Sequence, residues 1–459
     1  MDKAWKQYAP NLCGALGISL LAGCTAVCMG LERDGTAERA AVAAVLLALA
    51  GVSVLLLRLE GYGRDALLVM LLPVGAAFLV RALCLDYAGT DYRNFLTHWY
   101  SYFKDNGGFA AVAHAVGDYN VPYLYFMAFI TYLTVSDLYL IKLFSIVFDV
   151  ALAWGCLRLV RSLTRERQGS IAPLTAFAAA LLLPTVVLNG AYWGQCDVIY
   201  GALAVHAVAL LLEGKNKTSV ALMGLAFSFK LQAVFVLPLW GVLWLAKKVK
   251  FRELWVFPLT YLIVIIPAVL LGKPLSETLL VYFNQMGEYP KLVLNAPSVF
   301  QFFPYDITNA SEAGPLHKAL SAAGVAAAAV LVLIMLWLGF RLGDRLDRRT
   351  CFAVAVVLAI GVPFLLPHMH ERYFFLADVL TLCWACSDVR RLPTAVLVEA
   401  SSAMSYRLYL RLKFNWTFRL GGRFFVMVPE MLAMLAGLVF AVIALAGCLR
   451  GRRAKEETA

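Results

Sequence analysis

Long apolar runs alternate with short polar breaks along the whole chain. The runs cover residues 11–30, 38–57, 65–84, 137–160, 171–189, 197–213, 218–246, 253–272, 317–340, 350–366, 371–387, 393–410 and 424–449. A helix crosses a bilayer with roughly 17–25 apolar residues, and most of these runs fit that length. The run at 121–134 is shorter and suits an interfacial or re-entrant helix better than a span. The run at 218–246 carries lysines at both ends and breaks at "FKLQ" (Phe229 to Gln232), so it reads as a hairpin that goes out and returns.

The breaks are of two kinds. One is basic: "RLEGYGR" at 58–64, "RSLTRERQG" at 161–169, "EGKNK" at 213–217, "KKVKFR" at 247–252, "RLGDRLDRR" at 341–349 and the tail "RGRRAKEE". The other is aromatic and rich in Pro and Asn: 86–136, 189–196, 273–316 and 367–371. The positive-inside rule places the basic kind in the cytoplasm. It can do so for every basic loop only if 121–134 does not span. The expectation is an all-α polytopic integral membrane protein with about fourteen crossings, both termini inside, and amphipathic juxtamembrane helices in the first long external loop. The pattern is faintest over 393–423.

Composition agrees. The chain has 459 residues, 62% of them hydrophobic and 15% charged, with a mean hydropathy of +0.76. No soluble core of this size hides so much apolar surface, so the solvent is lipid. The net charge of +11 belongs to the cytoplasmic loops. No basic face or aromatic platform accompanies it, which argues against nucleic-acid binding. Ten cysteines lie mostly inside apolar runs as small hydrophobes. "CWAC" (Cys383 to Cys386) falls in an expected span, which disfavours a redox or zinc role. "LLAGC", ending at Cys24, has the look of a lipoprotein signal but reads as the first spanning helix, because many spans follow. The "NKT" sequon at Asn216 falls on the cytoplasmic side.

With that topology every polar cluster faces outward: "TDYRNFLTHW", "VGDYNVPYLY", "NGAYWGQCD", "FKLQ", "NAPSVFQFF" and "PHMHER". Six dispersed stretches converge on one membrane face. Asp91 begins an amphipathic segment and reads either as a helix cap or as a catalytic carboxylate. Asp118, Tyr119 and Asn120 follow Gly117 and precede Pro122, as a capping turn or as groups at a cavity mouth. Gln195 and Asp197, with Asn189, can bind hydroxyls; Trp193 and Tyr192 can stack on a sugar or sit in the interfacial aromatic belt. Lys230 stands deep in an apolar hairpin beside Gln232, and needs a phosphate or a neighbouring carboxylate. His368, His370 and Arg372 form a cationic cluster with Glu371 to hold it, and it suits a phosphate. The spacing is not H-E-x-x-H, so a zinc protease is excluded, and a divalent metal is not favoured. A carboxylate base, an anion site and a lipid-accessible flank fit transfer from a lipid phosphate. The acceptor hydroxyl needs a base and the departing phosphate needs positive charge. External chemistry lacks nucleotide sugars, so the activated sugar arrives on a lipid.

These stretches resemble the GT-C superfamily of polyprenyl-phosphate-sugar-dependent glycosyltransferases, in particular Gpi18-like (GPI mannosyltransferase 2-like) bacterial mannosyltransferases. They are also similar to the dolichyl-phosphate-glucose glucosyltransferases of the ER. "TDYRNFLTHW" is similar to a G-D-[FY]-E-A-x-R-H-W stretch whose aspartate is the proposed base, which the resemblance places on Asp91. "DYNVPYLY" is similar to D-Y-P-P-L-x-x-Y, keeping Asp118 and Pro122. "HMHER" is similar to H-V-H-E-K, keeping His370 and Glu371, with Arg372 for lysine. "FKLQ" is similar to the family's helix break, and "WGQCD" and "NAPSVF", with Asn295, look like Gpi18-type motifs. Thr90 replaces the glycine before Asp91, and "DYNVP" lacks the first proline of the pair.

The resemblance covers roughly residues 65–390, a catalytic transmembrane region, with a helix pair before it at 1–64 and spans plus a basic tail after it at 391–459. It implies an inverting transfer of a hexose, mannose favoured, from a polyprenyl-phosphate donor to a glycan, glycolipid or protein acceptor. The expected location is the extracytoplasmic face of a bacterial cytoplasmic membrane. His370, Arg372, Lys230 and His368 would hold the donor phosphate. Asp118, Tyr119, Asn120, Trp193, Gln195, Asp197 and Asn295 would meet acceptor or sugar, with Glu371 and Gln232 in support. Two other readings stand beside it: a transporter or flippase of lipid-linked sugars, which would place polar groups near the midplane and show a halved repeat, and a polysaccharide polymerase or ligase, which would take a diphosphate-linked donor.

Overall fold

The computed structural model describes residues 2–114, 116–164, 170–284, 291–310, 314–410 and 417–457. Parts of four expected regions, the loop 86–136, the basic stretch 161–169, the loop 273–316 and the segment 393–423, therefore lie outside the described residues. The protein is an all-α polytopic membrane protein. Among the described residues eight helices are long and apolar enough to cross a bilayer: Tyr8–Met29, Thr36–Leu59, Arg64–Cys84, Asp137–Thr164, Phe251–Leu270, Pro315–Arg345, Arg348–Leu365 and Val428–Arg450. Ile171–Leu182 and Pro184–Trp193, bent by 42° at Pro184, can make a ninth. The expected short helix forms as Val121–Ile130, with proline in its first turn. The expected hairpin at 218–246 forms as helix Asn216–Phe229, a 3₁₀ turn at Leu231–Phe235 and helix Pro238–Leu245.

The chain folds into two compact units. The first holds residues 1–209, 228–230 and 261–281; the second holds 210–227, 231–260 and 282–459.

In the first unit, helices Asp2–Met29 and Arg64–Cys84 cross at small residues. A Cβ on Gly75 would stand 2.5 Å from the Gly17 carbonyl oxygen, so only glycine permits this approach. The loop after the first helix is stitched to the N-terminal end of helix Asp137–Thr164. Both carboxylate oxygens of Asp34 accept from the Ser136 N–H, at 3.1 and 3.0 Å, and the Tyr139 hydroxyl accepts from the Arg33 N–H at 3.1 Å. The N-terminal helix pair is thus built into this unit. The long helix Asp137–Thr164 is its buried axis. Its Asp149 pairs with Arg81 at 2.8 Å, and both side chains are almost wholly buried.

The second unit packs helix Arg348–Leu365, buried along nearly its whole length, among its neighbours. Two short strand pairs decorate it. Val293–Leu294 runs parallel to Met369–His370. Thr417–Leu420 and Arg423–Val426 form an antiparallel hairpin, closed by Gly421 and Gly422 at φ of 58° and 80°. Two positive-φ residues between strands are what a tight primed turn requires. The expected apolar segment at 393–410 is helix Leu392–Tyr409, pinned by a buried ion pair between Arg407 and Glu430 at 2.5 Å.

Candidate active site

The segment that carries Asp91 is held from below. Helix Arg64–Cys84 ends where Lys142, wholly buried, donates from Nζ to the carbonyls of Cys84, Leu85 and Tyr87 at 2.7, 3.0 and 2.7 Å. A lysine at a helix C-terminus answers both the orphan carbonyls and the negative end of the dipole. The Tyr87 ring then stacks on Tyr192 at 3.8 Å. The chain re-enters a helix at Thr90, and residues Tyr92–Leu96 take a π winding. A second π turn spans Leu188–Trp193 and stops at Gly194, whose φ of 83° is left-handed. Such single wide turns recur where a helix must re-aim side chains.

These two turns bring Asp91 against Trp193 and Gln195. The Trp193 indole N–H donates to Asp91 Oδ2 at 3.0 Å. The Gln195 side-chain amide donates to the same oxygen. Asp91 makes no capping bond, so of its two sequence readings the cap is not what the carboxylate does. Ser145, one turn beyond Lys142, donates to the Gln195 carbonyl at 2.7 Å. One helix therefore anchors both segments that meet at Asp91.

Behind this contact lies a polar chain. The Tyr119 hydroxyl donates to Gln195 Oε1 at 3.2 Å. The Lys230 ammonium sits 5.6 Å from the Tyr119 ring centroid and donates to Asp197 Oδ1 at 2.5 Å. Asn189 donates to Asp197 Oδ2 at 2.8 Å and accepts from the Asp197 N–H at 3.3 Å. Lys230 is buried and Asp197 fully so. The desolvated lysine is thus paired with a carboxylate, the plainer of its two expected partners.

Several residues stand differently from their expected roles. Trp193 is fully buried, so its ring belongs neither to the interfacial belt nor to an open sugar face; the wide turn points it inward at Asp91. Asn120 is buried too. It caps helix Val121–Ile130 through its Oδ1 and donates to the Tyr261 hydroxyl at 3.2 Å, which is the capping reading rather than acceptor contact. Asp118 is exposed, and partial burial of its carboxyl pushes its pKa up. Gly117, at φ 61°, has Trp99 so close that a Cβ would stand 2.3 Å from Cε2.

In the second unit, "HMHER" is placed by the parallel strand pair, which sets Leu294 opposite His370 and bridges Asn295 to it. Asn295 and His368 both hold left-handed backbones, at φ of 56° and 62°, strained for non-glycine residues. His368 uses both ring nitrogens within the protein. Nδ1 donates to the Lys291 carbonyl at 2.7 Å, and Nε2 lies 3.3 Å from the Ser321 hydroxyl. Through the Lys291 contact its ring ties this strand to the segment leading into Val293–Leu294. His370 packs on Tyr373 at 5.2 Å. Arg372 is half-buried, with Nη1 at 3.8 Å from Glu371 Oε1 and its guanidinium 5.8 Å from the Tyr373 centroid. Gln232 is buried in the 3₁₀ turn after Lys230.

Asp91, Tyr119, Trp193, Gln195, Asp197 and Lys230 are thus gathered in the first unit, and Asn295, His368, His370, Glu371 and Arg372 in the second. Sequence reasoning missed Lys142 and Ser145. The signal was present: "LIKLFSIVFDV" sets a lysine and an aspartate seven residues apart in an apolar helix, and buried charges there mark function or its scaffold. Among the described residues no three His, Cys, Asp or Glu side chains are grouped to hold a metal ion.

A comparison with curated proteins finds no significant match. Residues 119–367, more than half of the chain, match the family model of glycosyltransferase family 87. The match takes in Tyr119, Trp193, Gln195, Asp197, Lys230 and Asn295; it begins after Asp91 and ends before His368. The chain therefore belongs to glycosyltransferase family 87, and is a multi-pass membrane glycosyltransferase of the GT-C-like kind.

Proposed function

We propose that this glycosyltransferase moves a hexose, mannose favoured, from a polyprenyl-phosphate carrier to an acceptor hydroxyl on the extracytoplasmic face of a bacterial membrane, with inversion at the anomeric carbon. The observation that carries this reading is the carboxylate of Asp91, oriented by two donors on one oxygen, Trp193 and Gln195. An oriented, half-exposed carboxylate suits a general base. Asp91 takes the proton of the acceptor hydroxyl as its oxygen bonds the anomeric carbon. The bond from that carbon to the phosphate oxygen breaks, and polyprenyl phosphate leaves.

His370 and Arg372 contact that phosphate, and guanidinium geometry favours it. Glu371 and His368 hold them in place. Asp118, exposed at the turn before Tyr119, meets the acceptor. Lys230 and Asp197 act through Tyr119 and Gln195 rather than on the substrate. The acceptor is a glycan, a glycolipid or a protein hydroxyl.

The test is transfer in proteoliposomes from radiolabelled polyprenyl-phosphate mannose, with polyprenyl-phosphate glucose and a diphosphate-linked sugar as rivals. Asp91→Asn should retain donor binding and lose at least about a hundredfold in turnover, the lower range for a general base. Undiminished turnover removes Asp91 from the mechanism. Transfer from the diphosphate donor alone replaces this reading with a polymerase or ligase.

A further inference from the structure

Within the second unit an apolar groove of about 430 Å³ opens between helices. Val220, Met223, Trp240, Gly241, Phe257 and Leu336 are among the residues that line it. Phe257 and Leu336 belong to helices Phe251–Leu270 and Pro315–Arg345, only 17% of whose apolar windows is buried inside the protein. Their remaining apolar surface suits lipid, and the groove lies beside it. The Trp240 indole N–H is satisfied by the Ser219 hydroxyl at 3.0 Å, which leaves nothing polar for a ligand in the groove. Hydrocarbon is the chemistry it accepts.

A second feature lies at the same end of these helices. Lys247 follows helix Pro238–Leu245 by two residues, and Lys250 and Arg252 lead directly into Leu254, another lining residue. All three cations are exposed, as are Lys215 and Lys217. The two basic loops are joined, since the Asn216 side chain donates to the Lys248 carbonyl at 2.9 Å, and Val220 is one helical turn beyond Asn216. Lys247 has a left-handed φ of 59° at the turn that begins this loop. Exposed aromatics flank this loop and stand on a lining helix: Trp244, Phe251, Trp255 and Trp337. Trp and Tyr concentrate where hydrocarbon gives way to headgroups. The groove thus runs from hydrocarbon depth to a cationic interface.

We infer that this groove holds one acyl chain of an anionic glycerophospholipid from the surrounding bilayer, with its phosphate against Lys247, Lys250 and Arg252. Basic pockets between transmembrane helices on the cytoplasmic side bind anionic headgroups. The positive-inside rule puts this loop on that side, so the site is separate from the chemistry assigned to Asp91. A neutral phospholipid offers the same chain but no net charge for the loop.

The test uses the purified full chain and native mass spectrometry, with phosphatidylglycerol against phosphatidylcholine of identical chains. Phosphatidylglycerol should be retained at least tenfold better. The triple substitution Lys247→Gln, Lys250→Gln and Arg252→Gln should remove that preference, and Gly241→Leu, which adds bulk at a lining position, should lower retention of both lipids. Should the filled variant not fold, cross-linking of wild-type protein with a diazirine-acyl phosphatidylglycerol decides. Labels at 220–223, 240–241, 257 or 336 support the site; labels confined elsewhere overturn it. Equal retention of the two lipids also overturns it. So does displacement of phosphatidylglycerol by polyprenyl phosphate at equal concentration, because the groove would then belong to the sugar carrier.

Discussion

The indole N–H of Trp193 meets Oδ2 of Asp91 at 3.0 Å, across 102 residues of chain. The Gln195 amide reaches the same oxygen. Two donors on one oxygen fix the plane of the carboxylate, and with it the direction in which a proton can be taken. A hydrogen bond to a charged group contributes roughly 1.5–3 kcal/mol, and only the part felt in the transition state changes turnover.

Trp193→Phe and Gln195→Ala should therefore each lower kcat by roughly tenfold while leaving KM within about twofold. In an Asp91→Asn background neither should reduce activity further, because the group they orient is gone. Steady-state kinetics on the two variants, alone and combined with Asp91→Asn, checks this. A further loss in the combined variants means that Trp193 and Gln195 touch substrate themselves.

Lys142 is predicted to matter more for folding than for chemistry. Lys142→Met keeps the length of the side chain and removes the donor from three carbonyls. Each buried acceptor left unsatisfied costs roughly 1–3 kcal/mol. The expected outcome is a fall in thermal midpoint in detergent of more than about 5 °C, beyond the few degrees that 1 kcal/mol usually gives. An unchanged midpoint means the helix end is held by other contacts.

Lys230 and Asp197 should behave as a pair. Breaking a buried pair from one side costs roughly 3–5 kcal/mol, whereas replacing both partners with apolar groups is often near neutral. Asp197→Leu alone is expected to destabilise strongly, and Asp197→Leu with Lys230→Met to recover most of the loss. Thermal unfolding of the single and double variants reads the coupling. Additive losses would show that the two side chains act independently.

Sidedness is open to direct measurement within the first unit. Arg64 and Asp118 are both exposed. Cysteines placed at these positions in a cysteine-free background should react with an impermeant maleimide from opposite faces of sealed vesicles. Labelling from the same face overturns the placement of the basic loops.

Much of this organisation was legible because lipid imposes a coarse code. Apolar length marks the long helices. Asp91, Gln195 and Lys230 stood out as polar groups in greasy surroundings. Which of the candidates pair with which did not, because hydrogen bonding across 102 residues leaves no local trace. The strand pair is of the same kind. Leu294 and His370 are 76 residues apart, and two residues per strand give no alternating pattern. The left-handed backbone of His368 is likewise set by the contact it makes. The hairpin at 417–426 is a different case. "FRLGGRFF" carries a Gly-Gly turn between strand-forming residues, so its signal was local and readable.

The stitching of Asp34 to Ser136 and of Arg33 to Tyr139 has a practical consequence for anyone trimming this chain. A fragment started at residue 119, where the family match begins, would omit the first three long helices and the carboxylate at residue 91 together. One started at residue 64 would keep the carboxylate but strip the Ser136 amide of Asp34 and the Tyr139 hydroxyl of the Arg33 N–H, leaving Tyr139 its bond to Asp86. Truncation from this end removes contacts that hold helix Asp137–Thr164, however remote the first two helices look on paper.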